Sequence, residues 1–213
     1  MALVENPFFA RLFIRIGARN EARGQAALRA ELLAGLRGHV VEPGPGTGLN
    51  FGHYPASVER VSAVEPEPTL RERARAAAER APVPIDVVDG LADRLPLADG
   101  EADAVVVTGV LCSVADPPAV LAEFRRVLRP GGELRFYEHV RAGGARGRWQ
   151  DAADLVWPSL MGGCHPNRDT LGAVRRAGFE VVRLRELIFP PGATVSVVAS
   201  RILGVARPGL PGR

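Results

Sequence analysis

An acidic residue followed by three alternating glycines is the part of this sequence best suited to hold a small charged ligand. Residues 42–48 read E-P-G-P-G-T-G and directly follow the apolar pair Val40-Val41. Glycine allows a sharp turn and a close approach of the backbone to a ligand because it has no Cβ. A dinucleotide-binding loop has the spacing G-x-G-x-x-G, and its third glycine would fall at position 49, which is Leu49 here. The spacing therefore argues against a dinucleotide and for another nucleotide-like ligand.

Three later segments are placed to complete a ligand site around this loop. Glu65 is predicted to end the second strand, where a carboxylate can accept hydrogen bonds from both hydroxyls of a ribose. Residues 90–100 (GLADRLPLADG) follow the third predicted strand, and residues 103–111 (DAVVVTGVL) contain the fourth. Open α/β sheets bind ligands at the carboxyl ends of their strands. We therefore expect the four segments to meet at one edge of the sheet.

In this order and spacing, the four segments resemble the motifs of class I methyltransferases that use S-adenosylmethionine (SAM). The resemblance implies that the acid and the glycine loop hold the amino-acid end of SAM, that Glu65 holds the ribose, and that the third segment reads the adenine. This superfamily often has aspartate where this chain has Leu91, so adenine contacts are expected from the backbone near Ala92 and from Asp93. The cofactor-binding residues implied in this way are Glu42, Gly44, Gly46, Thr47, Gly48, Asn50, Glu65, Pro66, Leu91, Ala92, Asp93, Thr108 and Leu111.

Glu138 and His139 close the fifth predicted strand and are the catalytic groups that the sequence suggests. SAM carries an activated methyl group, so an enzyme mainly aligns the acceptor in line with the S–CH₃ bond and excludes water. A proton on the acceptor must still be removed, which calls for a general base. The reference pKa of histidine, about 6.5, suits His139 to that task at neutral pH. A histidine with a structural role is the alternative interpretation.

A second group of motifs resembles a narrower family, the methyltransferase-11-type enzymes related to the mammalian microsomal alkyl-thiol methyltransferases. These motifs are residues 50–55 (NFGHYP), 110–114 (VLCSV) and 136–140 (FYEHV), then Trp149-Gln150, Trp157, Gly163-Cys164, Arg168-Asp169-Thr170 and Ala177-Gly178-Phe179. The resemblance implies S-methylation of a small thiol, whose thiolate is an intrinsically good nucleophile. The residues expected on the acceptor side are Tyr54, Trp149, Trp157, Cys164 and Arg168.

Other functions share the same cofactor half. The enzymatic alternatives are C- or O-methylation of a quinone or other secondary metabolite and N-methylation of a phospholipid headgroup. A protein that binds SAM without catalysis, as a partner or sensor, is the non-enzymatic alternative. Cys112, His139, Cys164 and His165 lack the sequence spacing of a metal site, so no metal is expected. A redox pair of Cys112 and Cys164 is not expected either.

The elements that must position these residues alternate between strand and helix. Strands are predicted at residues 40–41, 58–64, 83–88, 104–108, 133–140, 179–188 and 194–203, and helices at 25–36, 68–81, 117–128 and 169–177. An earlier helix begins at Asn6-Pro7. This alternation predicts an α/β fold: a doubly wound, mainly parallel seven-stranded sheet with helices on both faces, like that of class I methyltransferases. The expected division is a helical cap at 1–37, a methyltransferase domain at 38–204 with a substrate insert at about 141–168, and a flexible tail at 205–213.

Composition limits the partners and the compartment. The 213 residues carry a net charge of +3, all the basic residues are arginine, and they are interspersed with acids, which argues against a nucleic-acid surface. Arg11, Arg15 and Arg19 interrupt what would be the apolar part of a signal peptide. The sequence therefore predicts a cytoplasmic enzyme for a small-molecule acceptor, as a monomer or weak homodimer. Peripheral membrane contact through the amphipathic first helix is the alternative.

Overall fold

A seven-stranded sheet forms the centre of the molecule, seen in a computed structural model that describes residues 7–193 and 195–209. The strand order is β3-β2-β1-β4-β5-β7-β6. The strands are β1 (Gly38–Pro43), β2 (Val58–Val64), β3 (Ile85–Val88), β4 (Ala102–Thr108), β5 (Leu128–His139), β6 (Phe179–Ile188) and β7 (Ser200–Pro208). The α-helices are α1 (Pro7–Asn20), α2 (Ala26–Leu33), α3 (Pro68–Ala78), α4 (Pro117–Val127), α5 (Gly144–Ala153), α6 (Trp157–Leu160) and α7 (Thr170–Arg176).

The sheet is parallel from β3 to β5 and antiparallel where β7 pairs with β5 and β6. From β1 the chain builds outward through β2 and β3, and it then returns to the other side of β1 with β4. The strand order therefore reverses between β1 and β4, which is where open α/β sheets bind their ligands. The predicted mainly parallel, doubly wound sheet is confirmed.

Helices cover both faces of the sheet. Val105 and Val107 of β4 pack in one apolar cluster with α4 and α7, and Ala104 and Val106 pack in a second cluster with α2 and α3. Alternate residues of a strand point to opposite faces, so β4 is buried on both sides. A central parallel strand needs this continuous apolar run, which explains the sequence A-V-V-V at 104–107.

Carboxylate caps start the helices that follow the ligand-binding edge. Glu67 accepts a hydrogen bond from the backbone N–H of Leu70 (2.7 Å) at the start of α3, and Asp116 accepts one from Ala119 (3.0 Å) at the start of α4. Both helices have proline in their first turn, where its missing N–H costs no helical hydrogen bond. The caps thus set where each loop between strand and helix ends.

Helix α1 packs against the glycine loop. A Cβ built on Gly46 would lie 2.8 Å from Cε1 of Phe13, and one on Gly17 of α1 would lie 3.1 Å from Cδ1 of Leu49. The chain is kinked between α1 and α2, within Glu21–Gln25, where Gly24 has a φ of 96°. Asn6, where helix α1 was predicted to begin, lies outside the described residues.

The last strand differs from its predicted position. A strand was expected at 194–203, but β7 is Ser200–Pro208, so residues 205–208 belong to the sheet and not to a flexible tail. The buried side chain of Gln150 donates to the carbonyl of Val197 (2.8 Å), which ties this segment to the insert instead of the sheet. Residues 194 and 210–213 lie outside the described part of the chain. Across the described ranges, none of the helices has both the length and the apolar character needed to cross a membrane.

Candidate active site

The glycine loop at the end of β1 has a backbone that only glycine adopts easily. Gly44, Gly46 and Gly48 have φ values of 64°, 60° and 78°. A Cβ at Gly44 would also lie 2.8 Å from Cγ2 of Val110, a residue of the loop after β4. A side chain at these positions would be strained, and at Gly44 it would clash with Val110, so this turn requires glycine.

Glu42 lies buried at the end of β1, with both carboxylate oxygens bound. Oε1 accepts a hydrogen bond from Nδ2 of Asn50 (2.7 Å), and Oε2 accepts one from the hydroxyl of Tyr54 (2.5 Å). Burial raises the pKa of Glu42 to about 7, against the lowering effect of these two hydrogen bonds. A cation beside this carboxylate would favour its charged form and offset part of the cost of burial.

Arg29 of α2 supports this arrangement and was missed by the sequence reasoning. Its Nη1 donates to Oδ1 of Asn50 (2.8 Å), and its Nε donates to Glu21 (2.8 Å). The bond to Oδ1 leaves the amide nitrogen of Asn50 to face Glu42 and, at 3.2 Å, Oγ1 of Thr108. No local spacing marks Arg29, because it reaches the site from a helix before β1.

Glu65 follows the end of β2 and connects it to the glycine loop. Its Oε2 accepts a hydrogen bond from the backbone N–H of Gly46 (2.9 Å), and its Oε1 accepts one from the backbone N–H of Glu67 (3.1 Å). Burial raises the pKa of Glu65 to about 7. The carbonyl of Pro66, next in the chain, accepts a hydrogen bond from Arg71 (2.9 Å).

The segment after β3 forms a tight turn at the same edge of the sheet. Leu91 and Arg94 pair as an isolated antiparallel bridge. Ala92 is half-buried against the core beneath, whereas the side chains of Leu91 and Asp93 are exposed. Asp93 therefore keeps a solvent-facing carboxylate at the place where the sequence suggested a contact to adenine.

Glu138 holds the loop after β4 in place. Its Oε1 accepts hydrogen bonds from the backbone N–H groups of Val110 (2.8 Å) and Leu111 (3.2 Å). The side chain is fully buried, and Oε2 has no hydrogen-bond partner among the described residues. Burial raises the pKa of Glu138. The geometry makes Glu138 a positioning residue for this loop, where the sequence suggested a catalytic role.

His139 meets two cysteines in a buried cluster at the ends of β4 and β5. Its Nε2 lies 3.2 Å from Sγ of Cys164, which also accepts a hydrogen bond from the indole N–H of Trp157 (3.3 Å). The hydrogen bond from Cys112 to Cys164 raises the pKa of Cys112 well above its usual value and lowers the pKa of Cys164. Cys164 therefore loses its proton more readily than Cys112.

Arg168 closes the cluster from the side of the insert. Its Nη1 donates to the carbonyls of Leu111 (2.8 Å) and Val114 (2.7 Å). Burial lowers the pKa of this guanidinium. Arg168 therefore fixes the loop after β4 from one side, as Glu138 does from the other.

Two residues of the insert, Trp149 and His165, lie outside the cluster around His139. Trp149, expected on the acceptor side, is 54% exposed, and its indole N–H donates to the carbonyl of Val195 (3.1 Å). His165 turns away from Cys164, with Nδ1 3.0 Å from Oδ1 of Asp154. The structure thus places Trp157 and Cys164 beside His139, and Arg168 beside the loop after β4. Of the other residues expected on the acceptor side, Trp149 lies on the surface and Tyr54 donates to Glu42 instead.

The residues at this edge fit a ligand with an ammonium group and a ribose. The glycine loop makes a tight turn that any Cβ would disrupt, and two buried carboxylates, Glu42 and Glu65, flank it. Carboxylates are the natural partners of an ammonium group and of ribose hydroxyls. With the doubly wound sheet, this site defines a class I SAM-dependent methyltransferase.

Comparison with known proteins supports this class of enzyme. Residues 41–136 match the family described as a methyltransferase domain. The chain is 38% identical to the human thiol S-methyltransferase TMT1B over 82% of its length and 73% of that protein. It is 36% identical to human TMT1A over 71% of its length and 64% of that protein. A SAM-dependent methyltransferase of Thermotoga maritima, described as a possible histamine N-methyltransferase, has the same fold, with a TM-score of 0.68. The two sequences are 22% identical, and the match covers 94% of this chain and 98% of that one.

The chain belongs to the family of SAM-dependent methyltransferases that contains TMT1A and TMT1B. It is an enzyme that uses SAM to methylate a small molecule.

Proposed function

We propose that this enzyme methylates the sulfur of small thiols. The observation that carries the proposal is the sulfur of Cys164, held between Nε2 of His139 (3.2 Å) and the indole N–H of Trp157 (3.3 Å). The indole N–H can donate to a sulfur anion and the imidazole can take the proton of a thiol, so these surroundings suit the thiolate of an acceptor, which is the reactive form of a thiol. The names of the relatives TMT1A and TMT1B, both thiol S-methyltransferases, support this choice.

The cofactor residues take the following roles in this proposal. Glu42 receives the ammonium group of SAM, and Glu65 receives the ribose hydroxyls. The glycine loop packs against the part of SAM that lies between these two groups. Residues 91–93 receive the adenine, mainly through backbone groups. Thr108 and Leu111, at the end of β4, line the methionine part. When bound, SAM supplies a methyl group on a sulfonium, which needs no further activation.

His139 and the loop after β4 prepare the acceptor. A thiol with a pKa near 8.5 is only a few per cent ionised at neutral pH, so a group that promotes loss of its proton increases the reactive fraction. His139 provides this group. Glu138 and Arg168 keep the loop after β4 in position, so that the acceptor meets the methyl group in a fixed geometry.

Helices α1 and α2 act as a cap on the cofactor site. Phe13 lies against Gly46, and Phe9 lies 2.8 Å from the position of a Cβ on Gly162 in the insert, so α1 spans both sides of the cleft. The two rings also contact one another, with centroids 5.5 Å apart. The apolar face of α1 is thus used within the protein, which supports a cytoplasmic enzyme that acts as a monomer or weak homodimer.

A methyl-transfer screen with labelled SAM tests this function. The acceptors are small alkyl and aryl thiols, matched phenols, quinones and vesicles that contain phosphatidylethanolamine. We expect turnover with thiols and less than about one hundredth of that rate with the matched phenols. Turnover confined to quinones or phospholipid would overturn the thiol assignment. Tight SAM binding without turnover on any class would favour a SAM-binding partner or sensor.

A further inference from the structure

Cys112, His139 and Cys164 form a buried group of three side chains that could hold a metal ion. Their Sγ and imidazole nitrogen atoms all lie within 4.8 Å of one another, and all three side chains are buried. They come from the loop after β4, the end of β5 and the insert. Because the three segments are distant in sequence, no local spacing of residues predicts the site.

The donor set matches one class of metal. Two cysteine sulfurs and one imidazole nitrogen are typical ligands of Zn²⁺, with Zn–S near 2.3 Å and Zn–N near 2.0 Å. In a tetrahedral site these bond lengths put the ligating atoms roughly 3.5 to 4 Å apart. Nε2 of His139 and Sγ of Cys164 already lie 3.2 Å apart, so small side-chain movements would complete the geometry.

Charge near the cluster also suits a cation. The carboxylate of Glu138 acts electrostatically on both cysteines, and its Oε2 is buried without a hydrogen-bond partner in the described ranges. Two arginines also act electrostatically on the cluster: Arg201 acts on Cys164, and Arg168 acts on both cysteines although its Nη1 is directed at two backbone carbonyls. Two thiolates with one divalent ion would be neutral overall.

We propose that Cys112, His139 and Cys164 bind Zn²⁺ and leave its fourth position for the sulfur of the acceptor. Three protein ligands with one open position are the pattern of catalytic zinc sites. Binding of the acceptor forms a Zn–S bond, displaces a water molecule and releases the thiol proton to solvent, with no transfer of electrons. His139 then promotes thiolate formation as a ligand of the metal. This step rests on the proposed thiol methylation.

Cobalt titration of the reduced, metal-stripped full chain tests the site. Co²⁺ bound by thiolates has a sulfur-to-metal charge-transfer absorption, and Zn²⁺ displaces it because Zn²⁺ binds such sites more tightly. We expect one equivalent of Co²⁺ to bind, and Cys112→Ser and Cys164→Ser each to weaken binding at least tenfold. His165→Ala is the matched control, since His165 follows Cys164 but pairs with Asp154, and it should bind as the wild type does.

A small alkyl thiol should change the cobalt spectrum, whereas the matched alcohol should not. Absence of the charge-transfer band, or a band that persists in both cysteine variants when circular dichroism shows them folded, would overturn the metal site. Full thiol methylation by metal-free enzyme would overturn the role of zinc but leave the proposed function intact. A spectral response to the thiol without methylation would instead overturn the proposed function and retain the site.

Discussion

Nε2 of His139 lies 3.2 Å from Sγ of Cys164, a residue 25 positions further along the chain. This contact joins the end of β5 to the insert at the edge of the sheet where the ligand-binding loops meet. It places an imidazole against a sulfur at the point where we propose that the acceptor approaches. The reactivity of thiols in this enzyme is therefore expected to depend on His139.

Replacement of His139 by alanine should lower kcat by about tenfold to a hundredfold near pH 7 and leave SAM affinity within about twofold. The loss should shrink as the pH rises past the pKa of the acceptor thiol, about 8.5, because the thiolate then forms without help. Steady-state kinetics between about pH 6.5 and 9 measure this effect, with calorimetry for SAM binding. A defect that stays constant across the pH range would exclude a role in thiolate formation.

Replacement of Glu65 by alanine should weaken SAM binding by about 1–3 kcal/mol, because charge-assisted hydrogen bonds to the ribose are lost. Glu72→Ala, an exposed carboxylate on α3, is the matched control and should bind SAM normally. Calorimetry with SAM and S-adenosylhomocysteine measures both variants. Equal affinity of the two variants would remove Glu65 from the site, and tight binding of NAD to the wild type would refute the cofactor assignment.

Glu42 should make the stability of the ligand-free protein depend on pH. Its pKa rises from 4.5 to about 7 on burial, so the folded state holds a proton between these values that the unfolded state has released. Stability from this group is therefore present below about pH 4.5 and is lost as the pH rises through 7, by about 3 kcal/mol in total. Chemical denaturation at about pH 5 and pH 8 should show this loss in the wild type and a smaller loss in Glu42→Gln.

If Glu42→Gln and the wild type lose the same stability over this range, the carboxyl is not the group responsible. Glu72→Gln serves as the control for a surface carboxylate. Its pH profile should match that of the wild type.

Removal of the Phe13 side chain should speed the release of SAM. Phe13 is half-buried against Gly46, and loss of its apolar contact is worth about 1 kcal/mol, or about a threefold to tenfold change in dissociation rate. Stopped-flow measurement of Phe13→Ala, with exposed Arg15→Ala on the same helix as control, tests the cap. Tighter SAM binding in Phe13→Ala would mean that α1 obstructs the site instead of covering it.

Local patterns predicted the elements best where packing and propensity agree. The bounds predicted for the second and sixth strands, 58–64 and 179–188, are those of β2 and β6. The valines at 195–198 misled the prediction for the last strand, because β-branched residues favour strands wherever they occur. Gln150 donates a hydrogen bond to the carbonyl of Val197, and Val195 is 81% exposed. Tertiary contacts therefore keep residues 195–198 out of the sheet.

The residues of the site fall into two groups, those that the sequence predicted and those that it missed. Glu42, the glycines and Glu65 stand in a fixed order along one βαβ unit, so their spacing alone suggested where they meet. Arg29, Gln150 and the approach of Cys112 to Cys164 depend on how helices and the insert fold back onto the sheet. Such contacts leave no periodic mark in the sequence.

The most direct test of the central claim uses one acceptor that offers both a sulfur and an oxygen. A small mercaptophenol incubated with the enzyme and methyl-labelled SAM should yield the S-methyl product alone, identified by NMR, at a rate that falls in His139→Ala. An O-methyl product, or equal amounts of both, would contradict the assignment of this enzyme to thiol methylation.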